Sequence, residues 1–350
     1  MGEKQVIVER RGSAGFFILN RPQALNALNL EMVREISAAL DEFERDAAVE
    51  RIVVTGAGER AFSAGGDIRW LYDRGRAGEY AAQSEFFRAE YTLNARIKRY
   101  SKPYVSLIDG IVMGGGVGLS VHGSHRVVTE KAAFAMPEVG IGFFPDVGAT
   151  YALPRVPHRF GVAMAATGLR AKGADMAALG LATAYVESRR LGALREALER
   201  RGDTGAIIGE FASSPPPSPL LAQAATVEKA FAQADTASIE AALKADGSDF
   251  ARSLLDMMAT KSPTSIAIAL RQMQLGANLS IEEAMRVEFR IVTRICRGHD
   301  FYEGVRAAIV DKDNRPQWRP PAGERPAAVD IDAYFAPLGA DDLNLAGEAA

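Results

Sequence analysis

Three consecutive glycines and two carboxylates near the middle of this sequence have the types and spacing that acid–base chemistry at an oxyanion requires. The glycines, residues 114–116, follow an apolar run, while Glu138 comes after a proline and Asp146 lies eight positions further on. A glycine loop that opens a helix lets backbone N–H groups approach a ligand closely. We therefore predict a site that holds a developing oxyanion and acts on it with an acid or a base.

A second glycine turn comes earlier in the chain, in the segment Ala-Phe-Ser-Ala-Gly-Gly-Asp-Ile at residues 61–68. Asp67 is placed to cap a helix that starts at Ile68. Both glycine turns follow short apolar segments, which are typical of buried strands. The predicted strands are residues 51–55, 104–108 and 126–129. We expect these strands to lie in one sheet and the two glycine turns to converge.

Several common catalytic and cofactor motifs do not fit the sequence. Residues 118–122 read Gly-Leu-Ser-Val-His and lack the final glycine of a serine nucleophile elbow. The glycines form neither a dinucleotide-binding fingerprint with an acidic partner nor a phosphate-binding loop with a lysine. His122 and His125 are three positions apart, but no third ligand lies close in sequence. We therefore predict no metal and no bound cofactor.

Strands that alternate with helices predict an α/β fold, and helices dominate after Asp146. A proline-rich stretch at residues 213–219 predicts a stiff linker. We expect a core at residues 1–212, the linker at 213–219, a helical region at 220–313 and an extended tail at 314–350. Helix caps are predicted at Asn29, at Ser262 before Pro263, at Ser280 with Glu283, and at Gly298 as a C-cap.

Length and composition fit a globular protein with an ample core, at 350 residues, 48% hydrophobic and 24% charged. The formal net charge of −3 gives no strong basic field, so we expect no nucleic acid partner. The lone cysteine, Cys296, predicts a reducing compartment. The first residues lack an apolar signal region, and the long apolar run at residues 105–121 contains Asp109 and many glycines. We therefore expect a cytoplasmic location and no membrane association.

Three blocks of the sequence, in this order and spacing, resemble the crotonase (enoyl-CoA hydratase/isomerase) superfamily. The blocks are residues 62–68, residues 109–110 with 113–116, and residues 136–138. The resemblance implies a spiral of ββα repeats followed by a helical region, and an acyl-CoA thioester as ligand, with coenzyme A present only as part of the substrate. It implies an oxyanion hole made by the N–H groups of Gly66 and Gly115. Further substrate contacts implied by position are Ala64, Gly65, Asp67, Ile68, Gly114 and Gly116.

One departure from the hydratases of this superfamily indicates a different reaction. Their first catalytic glutamate falls on Gly118 here, while the second is kept as Glu138. A glutamate in this block followed by Asp146, with similar segments at residues 142–150 and 301–307, resembles the 3-hydroxyisobutyryl-CoA hydrolase branch of valine catabolism. The resemblance makes Glu138 a nucleophile that forms a mixed anhydride, or a general base for water. Asp146 then positions the substrate hydroxyl or the water, and its presence is expected to raise one of the two carboxyl pKa values.

The residues leave two other functions open. One is hydration or double-bond isomerisation with Glu138 as the single acid–base residue. The other is an acyl-CoA-binding subunit without activity, which the presence of both Glu138 and Asp146 disfavours. The acyl group also stays open between 3-hydroxyisobutyryl and 3-hydroxypropionyl, and the family makes a homo-oligomer an expectation.

Overall fold

The computed structural model describes residues 4–345, and the chain forms two units that alternate along the sequence. The sheet unit contains the residues up to Gly66, Leu93–Phe134 and Ala171–Leu221. The helical unit contains Asp67–Thr92, Ala135–Arg170 and the residues from Ala222 onward. This division differs from the predicted consecutive domains, because two segments before residue 212 belong to the helical unit. The predicted linker at residues 213–219 lies just before the last boundary.

Two sheets form the sheet unit, and their strands alternate along the chain. The strands are β1 (Val6–Arg11), β2 (Ala14–Leu19), β3 (Arg51–Gly56), β4 (Ala61–Ser63), β5 (Tyr104–Ile108), β6 (Ile111–Met113), β7 (His125–Val128), β8 (Ala133–Ala135), β9 (Ala171–Lys172) and β10 (Ala184–Tyr185). The larger sheet has the order β1-β2-β3-β5-β7-β10, and the smaller has the order β4-β6-β8-β9. The β1–β2 pair is antiparallel, and the other pairs of the larger sheet are parallel.

The three strands predicted to share a sheet are β3, β5 and β7, and this prediction is confirmed because they are parallel neighbours. Val53, Val105 and Val127 are fully buried in them. Such continuous apolar segments are typical of parallel strands that are covered on both faces. From β3, β5 and β7 the chain passes directly into β4, β6 and β8 of the smaller sheet. Each turn of the chain therefore contributes one strand to each sheet, which is the winding that a ββα spiral requires.

The helices of the sheet unit are α1 (Leu30–Arg45), α4 (Gly115–Gly118), α7 (Gly173–Ala178), α8 (Leu191–Ala197) and α9 (Thr204–Gly209). The predicted start of α1 is confirmed, because the Asn29 side chain accepts a hydrogen bond from the Met32 N–H at 3.0 Å. Val33, Ile36 and Leu40 of this helix are buried at helical spacing. The apolar stripe of this helix is therefore the face that packs into the core.

The helical unit contains α2 (Ile68–Arg76), α5 (Ala149–Ala152), α6 (Phe160–Thr167), α10 (Ala224–Phe231), α11 (Thr236–Asp246), α12 (Asp249–Ala259), α13 (Pro263–Gly276), α14 (Ile281–Ile295), α15 (His299–Val305) and α16 (Ala328–Phe335). Helix α3 (Tyr80–Arg99) belongs to this unit up to Thr92. The caps predicted at Ser262 and at Ser280 with Glu283 are confirmed. Gly298 is not a C-cap: its backbone is extended and it precedes α15 as an N-cap.

Residues 314–345 are not simply an extended tail, because they include α16 and a 3₁₀ turn at Gly339–Asp341. The Asp342 carboxylate forms an ion pair with Arg290 at 2.7 Å, and Leu343 and Leu345 are buried. The tail therefore packs against the helical unit. Within the described residues, every helix is too short or too polar to cross a lipid bilayer.

Candidate active site

The two predicted glycine turns of the sheet unit lie against each other. They follow β4 and β6, which are parallel neighbours with Ser63 opposite Val112. Gly65 has φ +109° and Gly114 has φ +46°, values that side chains rarely tolerate. A Cβ atom on Gly65 would lie 3.3 Å from the Gly115 nitrogen, and one on Gly116 would lie 2.5 Å from the Ser63 oxygen. Only glycine permits this approach, so the structure confirms that the two turns converge.

The predicted oxyanion donors occupy positions whose N–H groups are not used by the fold. Gly115 is the first residue of α4, so its N–H has no partner within the helix. The bridge between Leu28 and Gly66 uses the Leu28 N–H, which donates to the Gly65 carbonyl at 2.8 Å. Among residues 4–345, neither the Gly66 nor the Gly115 N–H donates to a protein acceptor. Two free amides on adjoining turns could together bind one negatively charged oxygen.

The segment before α1 fixes the first glycine turn, and the sequence analysis assigned it no role in the site. Asn26 is fully buried, and its side-chain amide donates to the Ala57 and Ala61 carbonyls at 2.9 Å. The backbone carbonyl of Asn26 accepts a hydrogen bond from the Ser63 hydroxyl at 2.9 Å. The only signal in the sequence was an asparagine next to the turn, a residue type that often bonds to nearby backbone.

The other residues predicted to contact the substrate have defined backbone tasks. The Ala64 N–H donates to the Leu25 carbonyl at 2.9 Å, and Gly114 precedes α4. Within the helical unit, Asp67 caps α2 by accepting from the Trp70 N–H at 3.2 Å, and Ile68 is the first residue of that helix. Capping accounts for Asp67 without a ligand. Substrate contact by Ala64, Gly65, Asp67, Ile68, Gly114 and Gly116 stays a prediction.

Glu138 and Asp146, the two predicted catalytic carboxylates, are both buried within the helical unit. Glu138 opens the 3₁₀ turn Glu138–Ile141, and its Oε2 has no hydrogen-bond partner among the described residues. The Asp146 Oδ2 accepts from the Tyr91 hydroxyl at 2.8 Å. Burial, and then the charge of Asp146, raises the pKa of Glu138 well above its usual range. Burial raises the pKa of Asp146 to about 7, although the bond from Tyr91 opposes this shift.

Two further carboxyl groups, which sequence reasoning missed, share this environment. Glu90 of α3 is 2% exposed, with Oε1 unpartnered among the described residues, and Glu288 of α14 is fully buried. Burial, followed by the charges of Asp146 and Glu288, raises the pKa of Glu90. Burial, followed by the charge of Asp146, raises the pKa of Glu288 to about 8. The available signal was a glutamate on an apolar stripe, since position 288 lies at helical spacing between Met285 and Val292.

These four carboxyl groups form one electrostatic system, which we call the acidic cluster: Glu90, Glu138, Asp146 and Glu288. Four negative charges cannot be held together in a buried, weakly polarisable environment at low energy. The cluster therefore retains protons at neutral pH, and its titration belongs to the group rather than to single residues. Such a cluster can both accept and donate a proton near neutrality.

Position 118 and the possible metal ligands were both candidates for further catalytic groups. Gly118 is the last residue of α4 and is buried, so position 118 contributes no side chain. Across residues 4–345, no group of three or more His, Cys, Asp or Glu side chains has the geometry to hold a metal ion. His125 instead shares a hydrogen bond with the Ser124 hydroxyl at 2.9 Å, and Cys296 is buried.

Comparison with known proteins agrees with this description. The family model for enoyl-CoA hydratase/isomerase matches residues 14–335. The chain is 42% identical to the mitochondrial 3-hydroxyisobutyryl-CoA hydrolase of Danio rerio, over 97% of this chain and 92% of that protein. It is 41% identical to the protein of the same name from Homo sapiens, over 97% of this chain and 90% of that protein.

Solved structures of the same fold also cover nearly the whole chain. A carnitinyl-CoA dehydratase from Mycobacterium thermoresistibile matches with a TM-score of 0.94 and 40% identity, over 99% of this chain and 100% of that one. An enoyl-CoA hydratase from Rhodobacter sphaeroides 2.4.1 matches with a TM-score of 0.92 and 39% identity, over 98% and 100%. The predicted crotonase-like α/β fold with a helical C-terminal region is confirmed.

Proposed function

We propose that this chain, which belongs to the enoyl-CoA hydratase/isomerase family, hydrolyses 3-hydroxyacyl-CoA thioesters, with 3-hydroxyisobutyryl-CoA as its principal substrate. The observation that carries the proposal is the buried pair Glu138 and Asp146 combined with a glycine at position 118. Relatives that are 41–42% identical over 97% of the chain carry the name of this hydrolase. The acyl group is taken from the name of those relatives. A place in valine catabolism is part of the proposal.

The first task is to stabilise the thioester oxygen while the carbonyl carbon is attacked. We assign it to the N–H groups of Gly66 and Gly115, which are free of protein acceptors among residues 4–345. The oxygen gains negative charge as the tetrahedral intermediate forms, and preorganised amides stabilise that charge more than they stabilise the substrate. Loss of one such donor typically costs roughly 3–4 kcal/mol of transition-state stabilisation.

Glu138 carries out the attack in this proposal. A carboxylate oxygen of Glu138 adds to the carbonyl carbon, the C–S bond breaks, and the acyl group is left as a mixed anhydride with Glu138. Water then hydrolyses the anhydride and regenerates the carboxylate. Direct attack by water, with Glu138 as general base, is the alternative route through the same residue. The Oε2 of Glu138 fits either role, because among residues 4–345 no hydrogen bond to this oxygen has to be broken first.

Asp146 serves the leaving group and the substrate hydroxyl. The acidic cluster retains a proton at neutral pH, and we assign Asp146 to deliver it to the departing CoA thiolate. Its hydrogen bond from Tyr91 holds one oxygen in place, which leaves the other for the 3-hydroxyl group of the acyl chain. Preference for 3-hydroxy substrates follows from this contact, since a buried carboxyl group loses a partner when the hydroxyl is missing.

Hydration of an enoyl-CoA is the second candidate function, because structures of a hydratase and a dehydratase match the fold closely. Enzymes of this type in the family pair two glutamates, and the first of these positions is Gly118 here. A single Glu138 would have to serve both as the acid and as the base. Asp146, which is buried beside the same group, has no assigned task in that reaction.

A thiol-release assay across a panel of acyl-CoA substrates separates the two functions. The panel contains 3-hydroxyisobutyryl-CoA, 3-hydroxypropionyl-CoA, the matching acyl-CoAs without the hydroxyl, and an enoyl-CoA. We expect free thiol from the 3-hydroxy substrates, and little loss of the absorbance of the conjugated thioester when the enoyl-CoA is supplied. Enoyl absorbance that disappears without thiol release would establish hydration and overturn the proposal.

The compartment is proposed from two observations. The lone, buried Cys296 fits a reducing environment. The relatives are named as mitochondrial proteins, which does not fit the predicted cytoplasmic location, so we retain only the reducing compartment. A homo-oligomer also stays a prediction, to be measured by analytical ultracentrifugation.

A further inference from the structure

Glu288 is a buried carboxyl group that has no part in the chemistry proposed above. It lies in α14, is fully buried, and accepts two backbone hydrogen bonds. The Gly148 N–H donates to its Oε2 at 2.7 Å, and the Thr150 N–H donates to its Oε1 at 2.9 Å. Both carboxyl oxygens of Glu288 therefore accept hydrogen bonds from the segment that immediately follows Asp146.

That segment has a strained backbone. Val147 has φ +53° and Gly148 has φ +88°, so two consecutive residues adopt the left-handed region. A β-branched side chain is rarely found there, because its Cβ approaches the following carbonyl oxygen. Conformations of this kind persist only where the surrounding structure fixes them. The two amide hydrogen bonds of Glu288 supply such a constraint.

A second buried side chain supports the same segment. The Gln272 amide donates to the Pro145 carbonyl at 2.9 Å and to the Thr150 hydroxyl at 2.8 Å. The residues on either side of Val147 are thus held by side chains of α13 and α14. Within this stretch, the Asp146 carboxyl group accepts a hydrogen bond from the Tyr91 hydroxyl.

We propose that Glu288 is a positioning residue, whose two amide hydrogen bonds hold the Val147–Gly148 turn so that the Asp146 carboxyl group meets Tyr91 and the substrate. The inference rests on the proposed function, because it gives Glu288 its effect through a catalytic Asp146. It also has a purely structural consequence, which is the geometry of the turn and of the Tyr91–Asp146 hydrogen bond.

The geometry that Glu288 maintains also affects the pKa of Asp146. The titratable groups that interact with Asp146 come from several elements: Glu90 and Tyr91 of α3, Glu138 of its 3₁₀ turn, Glu288 of α14, and Cys296 at the end of that helix. All of these groups are neutral or negative. The hydrogen bond from the Tyr91 hydroxyl lowers the pKa of Asp146, so its loss in a variant that releases the turn should raise that pKa.

Glu288→Gln is the decisive variant, because it keeps the size of the side chain but leaves only one acceptor oxygen for two amides. We expect kcat for thiol release to fall about ten- to a hundredfold, since misplacing a catalytic group by 1 Å can cost on the order of 10²-fold. KM should change by less than about threefold, because the amide donors to the thioester are untouched. The pH–rate profile should shift to higher pH, because Asp146 loses the hydrogen bond that lowers its pKa. A kcat within about twofold of the wild type, with an unchanged profile, would overturn the inference.

Asp175→Asn is the matched control. Asp175 is also a buried carboxylate that accepts backbone amides, from Lys172 at 3.0 Å and from Leu220 at 3.1 Å, but it lies in the sheet unit outside the acidic cluster. The control loses the same kind of hydrogen bond. Its kcat and pH profile should match those of the wild type, so a general loss of stability is separated from a loss of positioning.

Val147→Gly tests the strain directly and keeps the test decisive if Glu288→Gln folds poorly. Glycine adopts positive φ without steric cost, so the turn should no longer depend on the two hydrogen bonds to Glu288. Glu288→Gln should therefore cost several-fold less activity in the Val147→Gly background than in the wild type. If Glu288→Gln lowered activity equally in both backgrounds, Glu288 would not be holding the strained turn.

The crystal structure of Glu288→Gln distinguishes failure of this inference from failure of the proposed function. We expect Val147 to leave the left-handed region or the Tyr91–Asp146 hydrogen bond to break. If both features are retained, the positioning role is wrong whatever the turnover. If the wild-type protein releases no thiol from any 3-hydroxyacyl-CoA, the proposed function is wrong, and the same crystal structure still decides whether Glu288 holds the turn.

Discussion

Glu138 has one oxygen without a protein partner among the described residues, whereas Asp146 has one oxygen bonded to Tyr91. Both carboxyl groups are buried, and burial is the largest cause of their raised pKa values. An ionised carboxylate in such a place is unfavourable unless it gains a partner or loses its charge to a proton. In the free enzyme, these carboxyl groups therefore favour their protonated forms at the place where the thioester is proposed to react.

The pH dependence of the reaction follows from this burial. Attack requires the ionised form of Glu138, and its pKa is raised well above the usual range of a glutamate. We expect kcat/KM to rise with pH along a limb with an apparent pKa near or above 7, because burial also raises the pKa of the neighbouring Asp146 to about 7. A stopped-flow thiol-release profile measures this limb. A midpoint at about 4–5, the ordinary range for carboxyl groups, would contradict the electrostatic account.

Asp146→Asn should separate the two roles assigned to this residue. The variant keeps a hydrogen-bonding side chain but cannot donate a carboxyl proton. We expect kcat to fall about 10²-fold, the usual lower range for general acid–base catalysis. The preference for 3-hydroxy substrates over their unsubstituted counterparts should shrink, and the rising pH limb should move to lower pH because a negative neighbour of Glu138 is gone. If the preference for 3-hydroxy substrates were unchanged in this variant, Asp146 would not be the residue that recognises the 3-hydroxyl group.

Sequence reasoning selected Glu138 and Asp146 through their order and spacing, but not the other half of the acidic cluster. Glu90 and Glu288 lie 48 and 150 positions from Glu138, on helices whose local patterns look ordinary. Their proximity to Asp146 is a consequence of helix packing, and no short-range pattern encodes it. A charged residue on the apolar stripe of α14 was the single local indication of a buried role.

Local chemistry determines where several helices of this fold begin. Asn29, Ser262 and Ser280 start helices as their side chains predict, because each accepts a hydrogen bond from a backbone N–H in the first turn. Gly298 shows the limit of this reasoning. Glycine is common after a helix, yet Gly298 adopts an extended backbone and begins α15.

The convergence of the two glycine turns gives a test at the level of the element. Gly65→Ala places a Cβ about 3.3 Å from the Gly115 nitrogen at a backbone φ of +109°. We expect kcat/KM to fall about 10²-fold, because a displaced amide donor stabilises the oxyanion poorly. Gly78→Ala is the matched control, since Gly78 also has positive φ, at +79°, but no atom lies within 4 Å of its added Cβ.

The control should lose some stability and keep its activity per folded molecule. Thiol release and thermal unfolding measured on both variants separate backbone strain from the loss of the amide donor. Equal loss of activity in Gly65→Ala and Gly78→Ala would show that strain alone, rather than the oxyanion hole, explains the effect.

At the scale of the whole molecule, the sequence predicted the fold class and the shared sheet but not the division into units. Short apolar strands and glycine turns follow from local patterns, whereas the assignment of Asp67–Thr92 and Ala135–Arg170 to the helical unit depends on contacts distant in sequence. A linear boundary at the proline-rich stretch could not capture this alternation. The tail was also predicted to be extended, although Arg290, Leu343 and Leu345 anchor it.

The acidic cluster should make the free energy of unfolding depend on pH. The pKa values of Asp146 and Glu288 are raised to about 7 and about 8, so these two groups bind more protons in the folded protein than in the unfolded chain between about pH 4 and pH 8. Their stabilising contribution is complete below about pH 4 and is lost as pH rises through about 7–8. We expect the melting temperature to fall between about pH 5.5 and 8.5, by an amount that corresponds to a few kcal/mol, since one pKa unit is about 1.4 kcal/mol.

Calorimetry across this range, compared with Glu288→Gln, checks the assignment. The variant has one titrating group fewer, so its melting temperature should depend less steeply on pH. A wild-type melting temperature that rises with pH across this window would show that the cluster is ionised in the folded protein.

The central claim is that Glu138 cleaves a thioester, and the most direct test is single-turnover release of CoA thiol from 3-hydroxyisobutyryl-CoA by excess wild-type protein and by Glu138→Gln. We predict rapid release of one equivalent by the wild type, with oxygen-18 from the solvent appearing in the Glu138 carboxylate if the mixed anhydride forms. Glu138→Gln should bind the substrate but release thiol at least about 10²-fold more slowly. A loss of less than about tenfold in this variant would contradict the account, because such catalytic groups typically contribute about 10²–10⁴-fold.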